Sequence, residues 1–419
     1  MSLLLTNAIL IDPERGTAEP GEIRVEDGAI TAPGPAAEVI DCGGRHLAPG
    51  LVDWGVKVGE PGERHKESFR TAGRAALAGG VTTMVCRPDT TPPVDTPETL
   101  AFARGRAAAA APVRVHQMAT LTKGRDCAEM TELGFLRDAG AVAFGDGDHV
   151  VRDARVLGRA LTYARSVGAL VVGHPQEPTL SEGAAATAGK FASLRGLPAV
   201  SPVAERMGLE RDLALAEATG APWHADQITT AAALEPLRRA KAAGLDVTAG
   251  TSVHHVTLNA LDVADYRTFF KLKPPLRDED DRLAVAEALA DGTIDVLCSM
   301  HTPQDEESKR LPFARAASGA VGLETLVPAA LRLVHAGLID LPTLWHRMST
   351  APARRLGLPG GSLAEGAPAD LVLVDVGAPW RLDRWALESK SKNTPFDGAL
   401  LQGRVRATWV GGTLAWGRP

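Results

Sequence analysis

With 419 residues, 45% of them hydrophobic and 23% charged, the chain can bury one large core and a smaller satellite domain. A formal charge of −6 with both signs interspersed excludes a general nucleic-acid or membrane-surface binder, and no run of 18 or more apolar residues is present to span a bilayer. Four scattered cysteines (Cys42, Cys86, Cys127, Cys298) lack CxxC spacing and point to reduced thiols in a cytoplasmic protein, not to a disulfide framework or a structural zinc site.

The opening MSLLLTNAIL has no basic segment and no small-residue cleavage site, and Asp12 interrupts it, so it reads as a strand and not as a signal peptide. Turn signals follow at PERG and EPGE, and IRVEDGAI runs as a strand into the hairpin pair Asp27-Gly28. The far end has the same texture: ADLVLVDV is a buried strand, and residues 403–410 read as a strand before the turn at Gly411-Gly412. Chain ends commonly lie close together, so residues 1–48 and 365–419 are expected to form one composite β-sandwich domain.

Between them, over 49–364, apolar runs that end in polar residues alternate with Ala/Leu/Arg-rich helical stretches. VTTMVCRP, VRVHQMATL, GAVAFGDGD, GALVVGHP, APWHADQI, LDVTAGTS and DVLCSMHTP are the runs. This rhythm predicts an α/β fold with a parallel sheet, and at this length a closed (β/α)8 TIM-like barrel is the first choice. An open doubly wound sheet is the alternative, although no GxGxxG or P-loop sequence favours it. Chemistry is then expected at the carboxyl ends of the strands.

The segments PGLVD, GEPG, HKESF, GGVTTMVCRPDTTPPVDT, FKLKPPLRDEDDR, DGTIDVLCSMHTP, LPFARAASGAVGLET and SKSKNTPFDG fall in the order of the markers of bacterial dihydroorotases. On these segments the chain resembles the dihydroorotase family of the amidohydrolase superfamily over nearly its whole length. The resemblance implies a metal held by Asp-x-His-x-His on the first strand, where two His at i and i+2 share one side. Here those His positions are Gly55 and Lys57, and the substrate-binding Arg position is Gly59. His174 matches a family ligand, His224 is kept, but Gln227 stands at the next ligand place, and an amide is a poor zinc ligand. Met300 occupies the general-base position, where a thioether cannot take a proton. Gln304, Asp89 and Lys273 replace further pocket residues, a His and two Asn. No catalytic or metal set is intact; His174, Asp146 and His301 remain as remnant metal candidates, and Asp148 is an alternative in an ambiguous register. No cofactor is therefore expected, and zinc only if an atypical site persists.

Three functional readings stand side by side. The resemblance includes inactive members that associate with aspartate carbamoyltransferase, and this pattern of losses resembles theirs. The implied role is a non-catalytic assembly partner of that enzyme's catalytic subunit in pyrimidine biosynthesis, as a homo-oligomer. The alternative is an active dihydroorotase or a related cyclic amide hydrolase of hydantoinase or allantoinase type, with an atypical metal site. The third is a sensor binding an anionic metabolite through Lys57, Lys273 and Arg87. Lys57 is also expected to replace the lost cation by pairing with Asp146 or Asp53, against the alternative of a solvated lysine in an emptied cleft. His301 and the His254-His255 pair otherwise read as hydrogen-bonded structural residues, and the charge run Arg64–Glu67 as a solvated face.

Overall fold

The computed structural model describes residues 2–419. Seventeen strands are assigned, and they divide by origin. β1 (Ser2–Asp12), β2 (Thr17–Glu26), β3 (Ala29–Thr31), β4 (Glu38–Asp41) and β5 (His46–Pro49) come from the first part of the chain. Then come β6 (Leu51–Val56), β7 (Val81–Cys86), β8 (Arg114–Gln117), β9 (Val171–Gly173), the short pair β10 (Ala186–Thr187) and β11 (Ala199–Val200), β12 (Trp223–Ala225), β13 (Val247–Ser252) and β14 (Val296–Cys298). β15 (Leu371–Arg381), β16 (Leu400–Val410) and β17 (Thr413–Gly417) close the chain.

The two ends share one sheet, ordered β17-β16-β15-β5-β1-β2-β3, with β4 also paired to β1. β5 and β15 join them antiparallel, Leu47 opposite Leu373. Alternating inward residues of these strands, among them Leu5, Ile23, Leu47, Leu371, Leu373 and Trp409, make a core of their own. EPGE is not a turn: it lies inside β2, with Pro20 opposite Ile9 of β1. β3 pairs only with residues 24–26, so Pro20 sits where no further partner asks for its missing N–H. The turn at Asp27-Gly28 forms between β2 and β3, both residues having positive φ.

The middle of the chain pairs in parallel and in chain order. β6-β7-β8 form one ladder and β9-β12-β13-β14 another. Phe144 links them by single parallel bridges to Ala119 and Val171. GAVAFGDGD is therefore held by two single bridges at Phe144 and is not a full strand. The outer strands come side by side: Lys57 N donates to His301 O at 2.8 Å, and Ser299 N donates to an Asp53 carboxylate oxygen at 2.7 Å. The pairing is thus that of an α/β fold with two parallel ladders, not one continuous eight-stranded ladder. β6 and β7 are buried at every residue, as helix-covered parallel sheets require, whereas β8 is mostly half-buried. The capped amphipathic helices Phe69–Ala78 and Ala154–Val167 cover them, the first begun by a Ser68–Thr71 capping box. Among the described residues no helix is long and apolar enough to cross a membrane, and all four cysteines are free.

Candidate functional site

The carboxyl ends of β6, β7, β12 and β13 converge on one polar cleft. It is lined by Lys57, Arg87, Asp89, Asp148, Gln227, His254, Lys273, Met300 and Gln304. All nine were singled out in the sequence, and Gly55 adds a tenth by its contact with Met300.

That contact is tight. A Cβ built on Gly55 would lie 2.6 Å from Met300 Sδ, so the sulfur fills the space a side chain at 55 would need. Gly55 has φ +91° and Met300 φ +44°; Gln227 has φ +59°. Two of these three are buried non-glycine residues in the left-handed region, which costs of order 1 kcal/mol each and marks a backbone whose shape is fixed by its surroundings. Gly59 is equally closed: a Cβ there would run into the carbonyl of Glu63, whose N–H donates to Gly59 O at 2.7 Å. No arginine can stand at 59 on this loop path.

Charges in the cleft neutralise one another. Lys57 Nζ lies 3.2 Å from Asp89 and 3.6 Å from Glu63, so its partners are these two and not Asp146 or Asp53. Arg87 grips Asp89 with two hydrogen bonds of 3.1 and 3.0 Å, the paired geometry that makes arginine–carboxylate contacts strong. Asp148 in turn meets Arg125 at 2.9 Å, Lys273 at 3.2 Å and Arg87 at 3.8 Å. Burial alone would raise Asp148, but Arg87, Lys273, His174 and Arg125 hold its carboxyl far below the usual range. The same balance of burial against Arg87 and Lys57 leaves Asp89 lowered. An anion sensor needs free cations, and here Lys57, Arg87 and Lys273 each already face a carboxylate.

The remnant metal candidates are dispersed. Asp146 accepts from Leu121 N (2.9 Å), Thr122 N (3.0 Å) and Thr122 Oγ1 (2.6 Å), so both oxygens serve the 121–122 turn. His301 Nδ1 accepts from Gly322 N at 3.2 Å, and its Nε2 lies 3.4 Å from Glu67. Neither is turned to the cleft. His174 is 4% exposed, its Nδ1 has no partner, and burial first, then Lys273, pushes its pKa down to about 3. It is a neutral imidazole at one edge of the site. Gln227 reaches only Lys273 O, at 3.4 Å, and Gln304 Nε2 donates to Ser318 O.

A family metal would need donors from Gly55, Lys57, His174, Gln227 and Met300. One has no side chain, one is a paired ammonium, one is a thioether packed on the first, and Asp146 and His301 are spent elsewhere. Among the described residues no group of three or more His, Cys, Asp or Glu could hold a metal ion. The residues present do not fit the group, and no step can be derived through it.

Sequence reasoning missed a second set of residues around the cleft. Glu67, placed above in a solvated charge run, is fully buried and accepts from Ser389 Oγ, Thr71 Oγ1 and Lys390 N. Glu324 accepts from Glu388 N (2.9 Å) and Ser389 N (3.0 Å). Asn393 receives Gln304 N and donates to Thr302 O and Gly319 O. Arg277 meets Glu205 at 3.2 Å with both side chains buried, and Glu205 also accepts from the N–H groups of Thr229 and Thr230. Apart from Glu205, these residues sit in HKESF, GLET, SKSKN and PPLR, so segments that resemble the family latch loops to one another. His255 is structural as expected, bridging Ser252 and Pro274 O, whereas His254 Nε2 is buried at the cleft wall without a partner.

A family model described as "Dihydro-orotase-like" matches residues 44–233. A dihydroorotase of Syntrophotalea carbinolica is 38% identical, covering 99% of each chain. A "Dihydroorotase-like protein" of Pseudomonas putida is also 38% identical and covers 100% of each. Among solved structures, the L-hydantoinase (dihydropyrimidinase) of Arthrobacter aurescens superimposes with a TM-score of 0.90 at 24% identity, over 99% of this chain and 96% of that one, a likeness of fold alone. The chain belongs to the dihydroorotase-like family of the amidohydrolase superfamily.

Proposed function

We propose that this chain is a non-catalytic member of that family, a cytoplasmic, barrel-forming protein that serves as an assembly partner of the catalytic subunit of aspartate carbamoyltransferase. The observation that carries the loss of chemistry is the set Gly55–Met300 and Lys57–Asp89–Arg87–Asp148–Lys273, which fills ligand positions 55 and 57, base position 300 and the pocket around them with mutually satisfied groups. Water activation needs a Lewis acid or a base of suitable pKa. Lys57 and Met300 are neither. The carbamoyltransferase role rests on the resemblance of these losses to those of the family's inactive members.

The names of the relatives favour a second reading. Most of the similar chains are called dihydroorotase, which supports cyclic amide hydrolysis better than an assembly role. One experiment separates the two. Purified protein is assayed for bound zinc and for ring opening of dihydroorotate, then mixed with aspartate carbamoyltransferase catalytic subunits and sized. Metal below about 0.1 equivalent, no turnover and a larger mixed assembly are expected. Near-stoichiometric zinc with turnover would overturn the proposal in favour of hydrolysis.

A further inference from the structure

We propose that a second cavity, beside the cleft, binds a small carboxylate with an apolar body. The cavity shares only Asp148, Lys273 and Ser318 with the cleft, and its ligand depends on neither functional reading above.

The cavity holds about 550 Å3, the size of a small-molecule site, and lies between the 148–152, 174–184, 271–275 and 314–318 segments. Val150, Val200, Pro178, Pro274 and Pro275 give it an apolar wall. His174 belongs to the polar wall; it is 4% exposed, and its Nδ1 has no hydrogen-bond partner. Buried polar atoms are nearly always paired, so an open one in a cavity wall marks the place of a ligand atom. Burial keeps this imidazole neutral, and with its proton on Nδ1 it donates to an anion without adding charge.

Charge fixes the sign of the ligand. Lys271, in the same wall, is 7% exposed, and its Nζ donates to Ala314 O at 2.8 Å and Ala316 O at 2.6 Å. An ammonium has three donors, so one is left over. The two carbonyls satisfy hydrogen bonds but do not cancel the charge, and among the described residues Lys271 has no ion pair. Lys309 repeats the arrangement, donating to Thr268 O at 3.0 Å and Ala317 O at 2.6 Å. Buried cations without a counter-ion are costly, and these two feel each other: burial, then Lys271, pulls Lys309 down to about 7.

The carboxylates of the wall do not supply the missing charge. Asp148 is shared by Arg125, Lys273 and Arg87, Glu182 pairs with Arg152 at 2.9 Å, and Asp126 accepts from Ala128 N. One negative charge matches the one unpaired cation of the wall. The proline and valine side chains match an apolar body, which favours an organic carboxylate over inorganic phosphate.

Calorimetric titration of the full chain with benzoate at pH 7 tests this. A dissociation constant of about 1 mM is expected for a ligand of this size. Benzamide, neutral and of the same shape, should bind at least about tenfold more weakly, and inorganic phosphate should not displace benzoate. Lys271→Gln is expected to weaken benzoate about tenfold and His174→Leu about fivefold. Ala314→Trp fills the cavity from an exposed side chain whose carbonyl still receives Lys271, so it should abolish binding with the thermal midpoint unchanged, and it decides the matter even where Lys271→Gln does not fold. No binding at about 10 mM benzoate overturns the proposal. So do benzamide binding as tightly, displacement by equimolar phosphate, or benzoate binding that survives Ala314→Trp.

Discussion

The cleft and the loops that surround it are built on opposite principles. In the cleft, charged side chains pair with other side chains: Lys57 with Asp89, Asp89 with Arg87, Asp148 with Lys273 and Arg125. In the surrounding latch, buried carboxylates and an amide pair with backbone groups: Glu67 and Glu324 with the N–H groups of 388–390, Glu205 with those of 229–230, Asn393 with two carbonyls. A lattice of side chains is constrained only by its summed charge and volume, so it can be exchanged as a set. A side chain bound to backbone is constrained by the path of the loop, and any sequence following that path needs the same group. This is a physical reason why the latch resembles the family and the cleft does not.

The largest blow to the latch is expected from Glu205→Ala. It strands Arg277 in a buried site and unpairs two backbone N–H groups, so about 3–5 kcal/mol of unfolding free energy should be lost in denaturant titrations. A loss near 1 kcal/mol would show the latch to be no more demanding than the cleft.

A smaller effect, dependent on pH, sits at the cleft wall. Burial holds His254 down to about 3, against 6.5 when unfolded. The unfolded chain therefore takes up this proton first, and stability from His254 is full above pH 6.5 and lost as pH falls toward 3. His254→Gln removes that dependence. The variant's stability relative to wild type should improve by about 2 kcal/mol between pH 7 and pH 5; a pH-independent difference would contradict the burial.

The smallest change tests the fit of sulfur against glycine. Gly55→Ala should cost about 1 kcal/mol, from positive φ and from contact with Met300 Sδ, and adding Met300→Ala should return part of it. Additive costs in this cycle would mean the two positions are independent.

Much of the fold was legible because its signals are local. The β1 run, the Asp27-Gly28 hairpin and the rhythm of apolar runs ending in polar residues each lie within a few residues of sequence. The segment at 140–148 misled, since an apolar run bounded by turns reads as a strand whether it makes six bridges or, as at Phe144, two. Which positions meet in the cleft was legible from the resemblance. What they do there was not. Lys57 and Asp89 are 32 positions apart, and Glu67 and Ser389 lie 322 apart, so no spacing announced either pair. A charge run such as Arg64–Glu67 carries no mark that one of its members turns inward.

The packing of Met300 on Gly55 also acts as a ratchet. Returning a histidine to 55 alone drives its Cβ against sulfur, and returning an aspartate to 300 alone adds a buried carboxylate near Asp53, itself already raised to about 6 by burial. Met300 thus blocks the return of a side chain at 55. A lineage that has made both can drift at its surfaces while the old chemistry stays out of reach of any single mutation.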